Sequence, residues 1–391
     1  MIEVRSLDPA DVGAAWRQNK TAFFSPDANE ERFQRRAKLG FFLGGYHQGR
    51  LVGVAAVHPY RQWFAGRDLS MSGIASVTVA AEARGLGVAR AMLGAAIHRS
   101  YQDGAAVSVL YPSMPPVYRA LGWETAGVLA KIELPTSALT KARAADVLGS
   151  AEKEPVTVRP AGTDDLDAIG ALYTAAASPA VGPLTRTGPL FDPAKVLTHD
   201  GALLAERDGA PVGYVAYERS TDPGLVVHDL IGGRADVLAA LLRVVGSWET
   251  VAPTVRLWPG DPTLLALCVP VRTHLSWDEA WMLRLIDVQK AVVGRGWPVT
   301  VRTGVDLELV DSDAPWQSGR WKLEVADGSG TLERGGTGAV RVHVRGLSAL
   351  FTGFASTVAL RAAGLIDGDA VAAARLDAAF AGHLPWMVDY F

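Results

Sequence analysis

Residues 77–93 combine types that could hold a phosphorylated cofactor. Val77, Thr78 and Val79 read as a strand end and Arg84-Gly85-Leu86-Gly87 as a tight loop. Val88, Ala89 and Arg90, with the Ala/Leu/Met residues that follow, read as a helix start. A glycine-bearing loop that opens a helix points several backbone N–H groups at one place. That place lies at the positive end of the helix dipole and suits a pyrophosphate. Gly85 and Gly87 permit close backbone approach, and Arg84 adds a fork of donors. No Gly-Lys-Ser/Thr follows, so the loop is not a phosphate-binding Walker sequence. The dinucleotide spacing G-x-G-x-x-G fails because position 90 is Arg. The residues spell Arg-x-x-Gly-x-Ala at Arg84, Gly87 and Ala89. Without a ligand the same run is an ordinary strand–turn–helix, and residue types alone leave both readings open.

Two further features could take part in chemistry. Tyr118 lies five residues past Ser113 and just before Leu121-Gly122-Trp123. A tyrosine in a short helix near a thioester can protonate a leaving thiolate; it also suits an amphipathic core position. The last residues given are Trp386, Met387, Val388, Asp389, Tyr390 and Phe391. Burying the aromatic ones carries a carboxylate inward. Partial desolvation raises its pKa and makes it a better base toward an ammonium. A docked apolar tail is the other reading.

The elements that must position these groups follow from patterning. With 391 residues, 49% hydrophobic and 20% charged, the chain reads as a folded protein of two or three domains. The apolar runs break before ~18 residues, so no membrane span is expected. The start lacks the basic-then-apolar order of a signal peptide. The lone Cys268 excludes a disulfide scaffold. The eight histidines are scattered without a pair at ligand spacing, and no metal is expected. There is no Gly-x-Ser-x-Gly elbow for a serine hydrolase and no long basic run for a nucleic acid. A cytoplasmic location is expected. Residues 1–150 hold 17 Lys/Arg against 12 Asp/Glu, net +5, while residues 151–391 hold 21 against 29, net −8. The half bearing the loop is basic, and the acidic remainder favours cationic partners.

Helical patterning covers much of 11–36, 89–100 and 117–123, with strands over 41–46, 51–57, 73–79, 105–110 and 129–134. Residues 135–155 read as a linker helix or surface excursion. Val156-Thr157-Val158-Arg159-Pro160 then echoes Ile2-Glu3-Val4-Arg5-Ser6. A weak repeat of domain size follows, which suggests duplication. The second copy has Gly232-Gly233-Arg234-Ala235-Asp236 where the first has its loop, and so reads as degenerate. A third unit begins near Asp287, with strands over 300–309, 321–325 and 339–344 and helices over 346–363 and 369–380.

Taken together, residues 77–93, Ser113 with Tyr118, and the Phe391 end resemble the enhanced intracellular survival (Eis) family of aminoglycoside N-acetyltransferases, within the general-control-related N-acetyltransferases (GNAT). The resemblance spans essentially the whole chain. It implies an α/β (α+β) fold: a GNAT domain at 1–150, a degenerate second GNAT domain at 151–286, and a sterol-carrier-like domain at 287–391. It implies acetyl-CoA as co-substrate, a small-molecule amine such as an aminoglycoside, no membrane partner, and a homohexamer. By resemblance, Val77, Thr78 and Val79 line the thioester, and the Val79 N–H polarises its carbonyl. Arg84, Gly85, Leu86, Gly87, Val88, Ala89 and Arg90 hold the pyrophosphate, and Ser113 and Met114 flank the pantetheine. Tyr118 is the general acid and the Phe391 carboxylate the general base. The family's acidic and aromatic substrate residues fall near Phe24, Asp27 or Glu30. The loop has Gly85 and Leu86 where the family is often richer in arginine, and near the end only Asp389 offers an acid. Two other readings stay open: an acyltransferase for protein lysines or natural-product amines, and a non-catalytic protein whose third domain binds an apolar ligand.

Overall fold

The computed structural model describes residues 1–23, 29–144, 155–220, 224–270 and 274–391. The chain forms two compact units. One comprises residues 1–127, 280–385 and 390–391; the other comprises residues 128–279 and 386–389.

The first unit opens with β1 (Ile2–Ser6), α1 (Val12–Phe23) and α2 (Glu30–Lys38). An antiparallel meander follows, β2 (Phe42–His47), β3 (Arg50–Phe64) and β4 (Arg67–Val79), with β1 on its outer edge. Both turns use two residues of positive φ, Gln48-Gly49 and Ala65-Gly66. This is the two-residue turn that matches the twist of a hairpin. The strands expected over 51–57 and 73–79 therefore run on through 58–72. Pro59 hid this continuation. The Val57 N–H donates to Phe41 O, so by alternation the Pro59 nitrogen faces the side that β2 has already left. No bond to β2 is lost there.

Next come α3 (Val88–Gln102), β5 (Val107–Leu110) parallel to β4, α4 (Pro115–Arg119) and β6 (Glu124–Pro135). The helix α3 lies close on the sheet because β3 has no side chain at Gly53. A Cβ there would stand 2.7 Å from Val88 and 2.8 Å from Met92.

The second unit holds part of β6, β7 (Thr157–Pro160), α5 (Leu166–Ala177), β8 (Val181–Leu184), β9 (Gly201–Arg207), β10 (Ala210–Arg219), β11 (Gly224–Gly232), α6 (Ala235–Gly246), β12 (Thr254–Leu257) and α7 (Pro262–Cys268). Its strands run in the order β6-β12-β11-β10-β9-β7. The meander β9-β10-β11, then α6, then β12 parallel to β11, repeats the layout of β2-β3-β4, α3 and β5. The segment read as a linker differs from that expectation. Ala138, Leu139 and Ala142 are buried against Leu238, Leu241 and Val245 in this unit's core. Their spacing gives a short turn one apolar side. Residues 145–154 lie outside the described residues.

The strand β13 (His274–Leu285) ends in the first unit, where residues 282–285 pair antiparallel with β5. The third stretch contains α8 (Val288–Gly294), β14 (Thr303–Val310), β15 (Gly319–Ala326), β16 (Ser329–Arg334), β17 (Val340–His343), α9 (Val344–Phe351), α10 (Thr357–Ala362), β18 (Ile366–Gly368) and α11 (Ala370–Ala379). Its sheet has the order β16-β15-β14-β17-β18, with β14 parallel to β17. The single helix expected over 346–363 is two, interrupted where Gly353 takes φ 78°.

Buried charge ties this stretch to the first sheet. Glu124 accepts from Arg119 (2.8 Å) and Arg345 (2.6 Å). Arg284 pairs with Asp311 at 3.0 Å, both sealed from solvent. Among the described residues no helix is long and apolar enough to cross a membrane.

Candidate active site

The site is built on β4. Val54 pairs with Thr78 and Ala56 with Ala75, so Ser76 and Val77 together oppose Ala55. Ser76 takes φ 54°. Such a bulge bends a strand and breaks its pairing. On the other side, β4 and β5 stay in register only from Met71/Val107 to Gly73/Val109. Beyond that point β5 ends at Leu110, while β4 continues to Val79. The parting strands leave residues 74–79 with a backbone edge toward the gap. The Ala80 N–H donates to Val52 O at 2.9 Å. An antiparallel ladder alternates its bonds, so the Val79 N–H points away from β3, into the gap.

The three residues divide their side chains. Thr78 is buried and accepts from Gln18 Nε2 at 3.1 Å. Val77 and Val79 pack beneath α3 with Val88 and Met92. It is therefore backbone that β4 offers to a ligand.

After β4 the chain makes one turn (Ala81–Ala83) and enters the exposed stretch 84–87. Gly85 and Gly87 take φ 82° and 77°, and a Cβ at either would meet nothing within 4 Å. These glycines serve backbone conformation, not packing. Gly87 caps α3 with no side-chain bond, and among the described residues no side-chain acceptor is found for the first-turn amides of Val88, Ala89 and Arg90. Ala91 is the first to reach a helical carbonyl, Gly87 O at 3.0 Å. The Arg84 side chain is exposed. The Arg90 guanidinium is turned to Asp313 (3.3 Å) and Ala120 O (3.5 Å), which leaves its backbone as the part directed at the loop.

The second copy fills the same place with its own acid. Asp236, in the first turn of α6, accepts from the Val237 N–H (3.0 Å) and pairs with Arg207 and Arg234.

Tyr118 is 6% exposed and packs edge-on against Trp123. Burial pushes its phenol above the ordinary value, against a hydrogen bond with Ser113 that pulls it down. It therefore carries its proton at neutral pH. Ser113 and Met114 are exposed.

The final residues divide between the units. In the second, the Trp386 N–H donates to Val181 O (3.1 Å), and Asp389 accepts from Arg186 Nε (3.0 Å) and Tyr173 (3.3 Å). In the first, the Phe391 ring packs on Tyr60 (5.0 Å between centroids) and Tyr111 (6.1 Å). A Cβ on Gly73 would lie 2.8 Å from that ring. Gly73 is the last residue of β4 paired with β5, so Phe391 sits where the strands part.

The fold thus brings Val77–Val79, the 84–90 loop and Phe391 to one strand, and joins Tyr118 to Ser113. Tyr60, Gly73, Tyr111 and Gln18 were not singled out from sequence. Tyr60 falls in the stretch of β3 that Pro59 obscured, and Gly73 opens the part of β4 that was expected. Phe24 and Asp27 lie outside the described residues, and Glu30 opens α2.

Residues 3–126 match an acetyltransferase (GNAT) domain family, and residues 182–285 match another acetyltransferase (GNAT) domain family. Residues 288–388 match the sterol carrier protein domain. The chain is 30% identical over 375 residues to an uncharacterized N-acetyltransferase of Streptomyces avermitilis, covering 87% of each. It is 27% identical over 349 residues to another from Streptomyces coelicolor, covering 82% of this chain and 81% of that one. The crystal structure of a GCN5-related N-acetyltransferase from Kribbella flavida matches with a TM-score of 0.86 at 32% identity, over 100% of this chain and 98% of that one. Eis1 from Mycobacterium abscessus shares the fold over the full length of both chains, with a TM-score of 0.78 at 21% identity. With such relatives along most of its length, and two GNAT domains ahead of a sterol carrier domain, the chain belongs to the GNAT N-acetyltransferases and has the Eis-like domain order.

Proposed function

We propose that this N-acetyltransferase moves the acetyl group of acetyl-CoA onto a primary amine of a small polycation of the aminoglycoside type. The observation that carries this reading is the parting of β4 from β5 just past Gly73, with Phe391 at one end of the gap and the uncapped start of α3 at the other. The pyrophosphate rests on the amides of 84–90 with Arg84. The pantetheine runs along residues 74–79, flanked by Ser113 and Met114. The Phe391 carboxylate, directly or through water, takes a proton from the ammonium. The freed amine attacks the thioester carbon while the Val79 N–H stabilises the oxyanion. The C–S bond then breaks, and Tyr118 gives its proton to the departing sulfur. The acidic balance of residues 151–391 favours a cationic substrate. By resemblance the assembly is a homohexamer.

A mass-spectrometric screen of aminoglycosides, polyamines and lysine peptides with acetyl-CoA tests this reading. Acetylated aminoglycoside is the expected product. Acetylation confined to peptides, or a preference for longer acyl donors, would move the substrate class. No product from any amine, with no thermal shift from coenzyme A, would overturn the reading. Residues appended after Phe391 should abolish turnover and spare coenzyme binding; full activity in such a protein removes the carboxylate from the scheme.

A further inference from the structure

His199, Glu218 and His228 are far apart in the chain but meet in the second unit. His199 follows the turn Pro193–Thr198 ahead of β9, Glu218 lies near the end of β10, and His228 lies in β11. Ala216 pairs with Asp229 and Tyr217 with Val227, so His228 is the extra residue of a bulge. A bulge re-aims the side chain it carries. One potential ligand atom from each residue lies within 4.8 Å of the others. Glu218 spans both rings: Oε2 is 3.3 Å from His199 Nδ1, and Oε1 is 3.0 Å from His228 Nε2. His228 Nε2 is shielded from solvent, and the contact of His199 Nδ1 with Glu218 is a hydrogen bond. A carboxylate held between two imidazoles places three potential ligand atoms around one point. Zinc held at about 2.0–2.2 Å in a tetrahedron sets its ligand atoms ~3.4 Å apart, close to both separations.

We propose that His199, Glu218 and His228 form a binding site for a divalent late-transition metal ion, represented by zinc. Two imidazoles with one carboxylate suit zinc and its neighbours in the series and disfavour magnesium or calcium. The side chains are 14%, 34% and 43% exposed for His199, His228 and Glu218, so one coordination position is open to water. The rings stack 4.1 Å apart and 14° from parallel. In-plane nitrogen lone pairs of near-parallel rings do not converge on one point, so capture of an ion requires one ring to tilt about its broad χ2 torsion. The expectation of no metal arose because no two histidines are near in sequence; the bulge brings them together in space. The site uses none of the acetyl-transfer residues.

The test uses full-length protein with any affinity tag removed, stripped with a chelator and then titrated with zinc. Calorimetry and elemental analysis should give one ion per chain, and cobalt should give the visible bands of a tetrahedral site. Zinc should raise the melting temperature of the parent protein. E218Q and H228Q should lose uptake and the shift while retaining their circular dichroism and coenzyme A binding. No uptake beyond that of magnesium, or equal uptake by both variants, would overturn the site.

Discussion

Gly73 has no room for a side chain, because Phe391 and Tyr60 already occupy the space that one would need. Gly73→Ala should push the Phe391 ring off the strand, and a displacement of about 1 Å can cost on the order of 10²-fold in rate. Turnover should fall while the thermal shift given by coenzyme A persists; an unchanged kcat would separate Phe391 from catalysis. Tyr118→Phe removes the phenolic proton and little else, since the ring keeps its place against Trp123. Its kcat should fall on the order of 10²–10⁴-fold, with coenzyme affinity unchanged by calorimetry. Both residues belong to the proposed site; Tyr118 was a candidate from its type and spacing, with its role given by resemblance, whereas Gly73 was not singled out. Gly73 gains its meaning from a ring that arrives from the far end of the chain.

Among the elements, the contacts between the first sheet and the third stretch depend on buried charge. Glu124 is held below the ordinary carboxylate range: burial pushes it up, but the Thr125 N–H, Arg119 and Arg345 outweigh that. A carboxylate with a depressed folded pKa contributes stability above its unfolded pKa and loses it as pH falls through the folded value. Melting temperatures of the parent protein should therefore drop steeply on the acid side, and Glu124→Gln should flatten that limb. Arg284→Met strands Asp311, which also accepts from Gln317 and from the Ala314 N–H. The loss should be about 3–5 kcal/mol by denaturant unfolding, partly recovered by adding Asp311→Asn. These elements were legible where hydrophobic period and glycine punctuation agreed, as in α3 and the last part of β4. They were illegible where a residue or a composition spoke against the pattern. Pro59 concealed half of a hairpin, and the Ala/Lys/Glu-rich composition of 135–155 concealed a piece of core at 138–142. The bulge at His228 depends on pairing across strands, which no local pattern records.

For the whole molecule, duplication gives two copies of one layout with different helix starts. The α3 start is bare and the α6 start is covered by Asp236. Calorimetry should therefore find one coenzyme A per chain, and Arg84→Ala should weaken that single isotherm; two equivalents would mean that the second domain binds as well. The tandem order was legible because strand openings recur, at 2–6 and again at 156–160. The way the final residues divide between the units was not, since nothing in their composition separates Trp386 and Asp389 from Phe391.

Asp236 has one further consequence. A carboxylate supplied by the protein itself cannot be washed out, diluted or outcompeted by weak solutes, so that half of the molecule is indifferent to buffer anions. Sulfate or inorganic pyrophosphate should therefore inhibit in a plainly competitive way against acetyl-CoA, with linear replots.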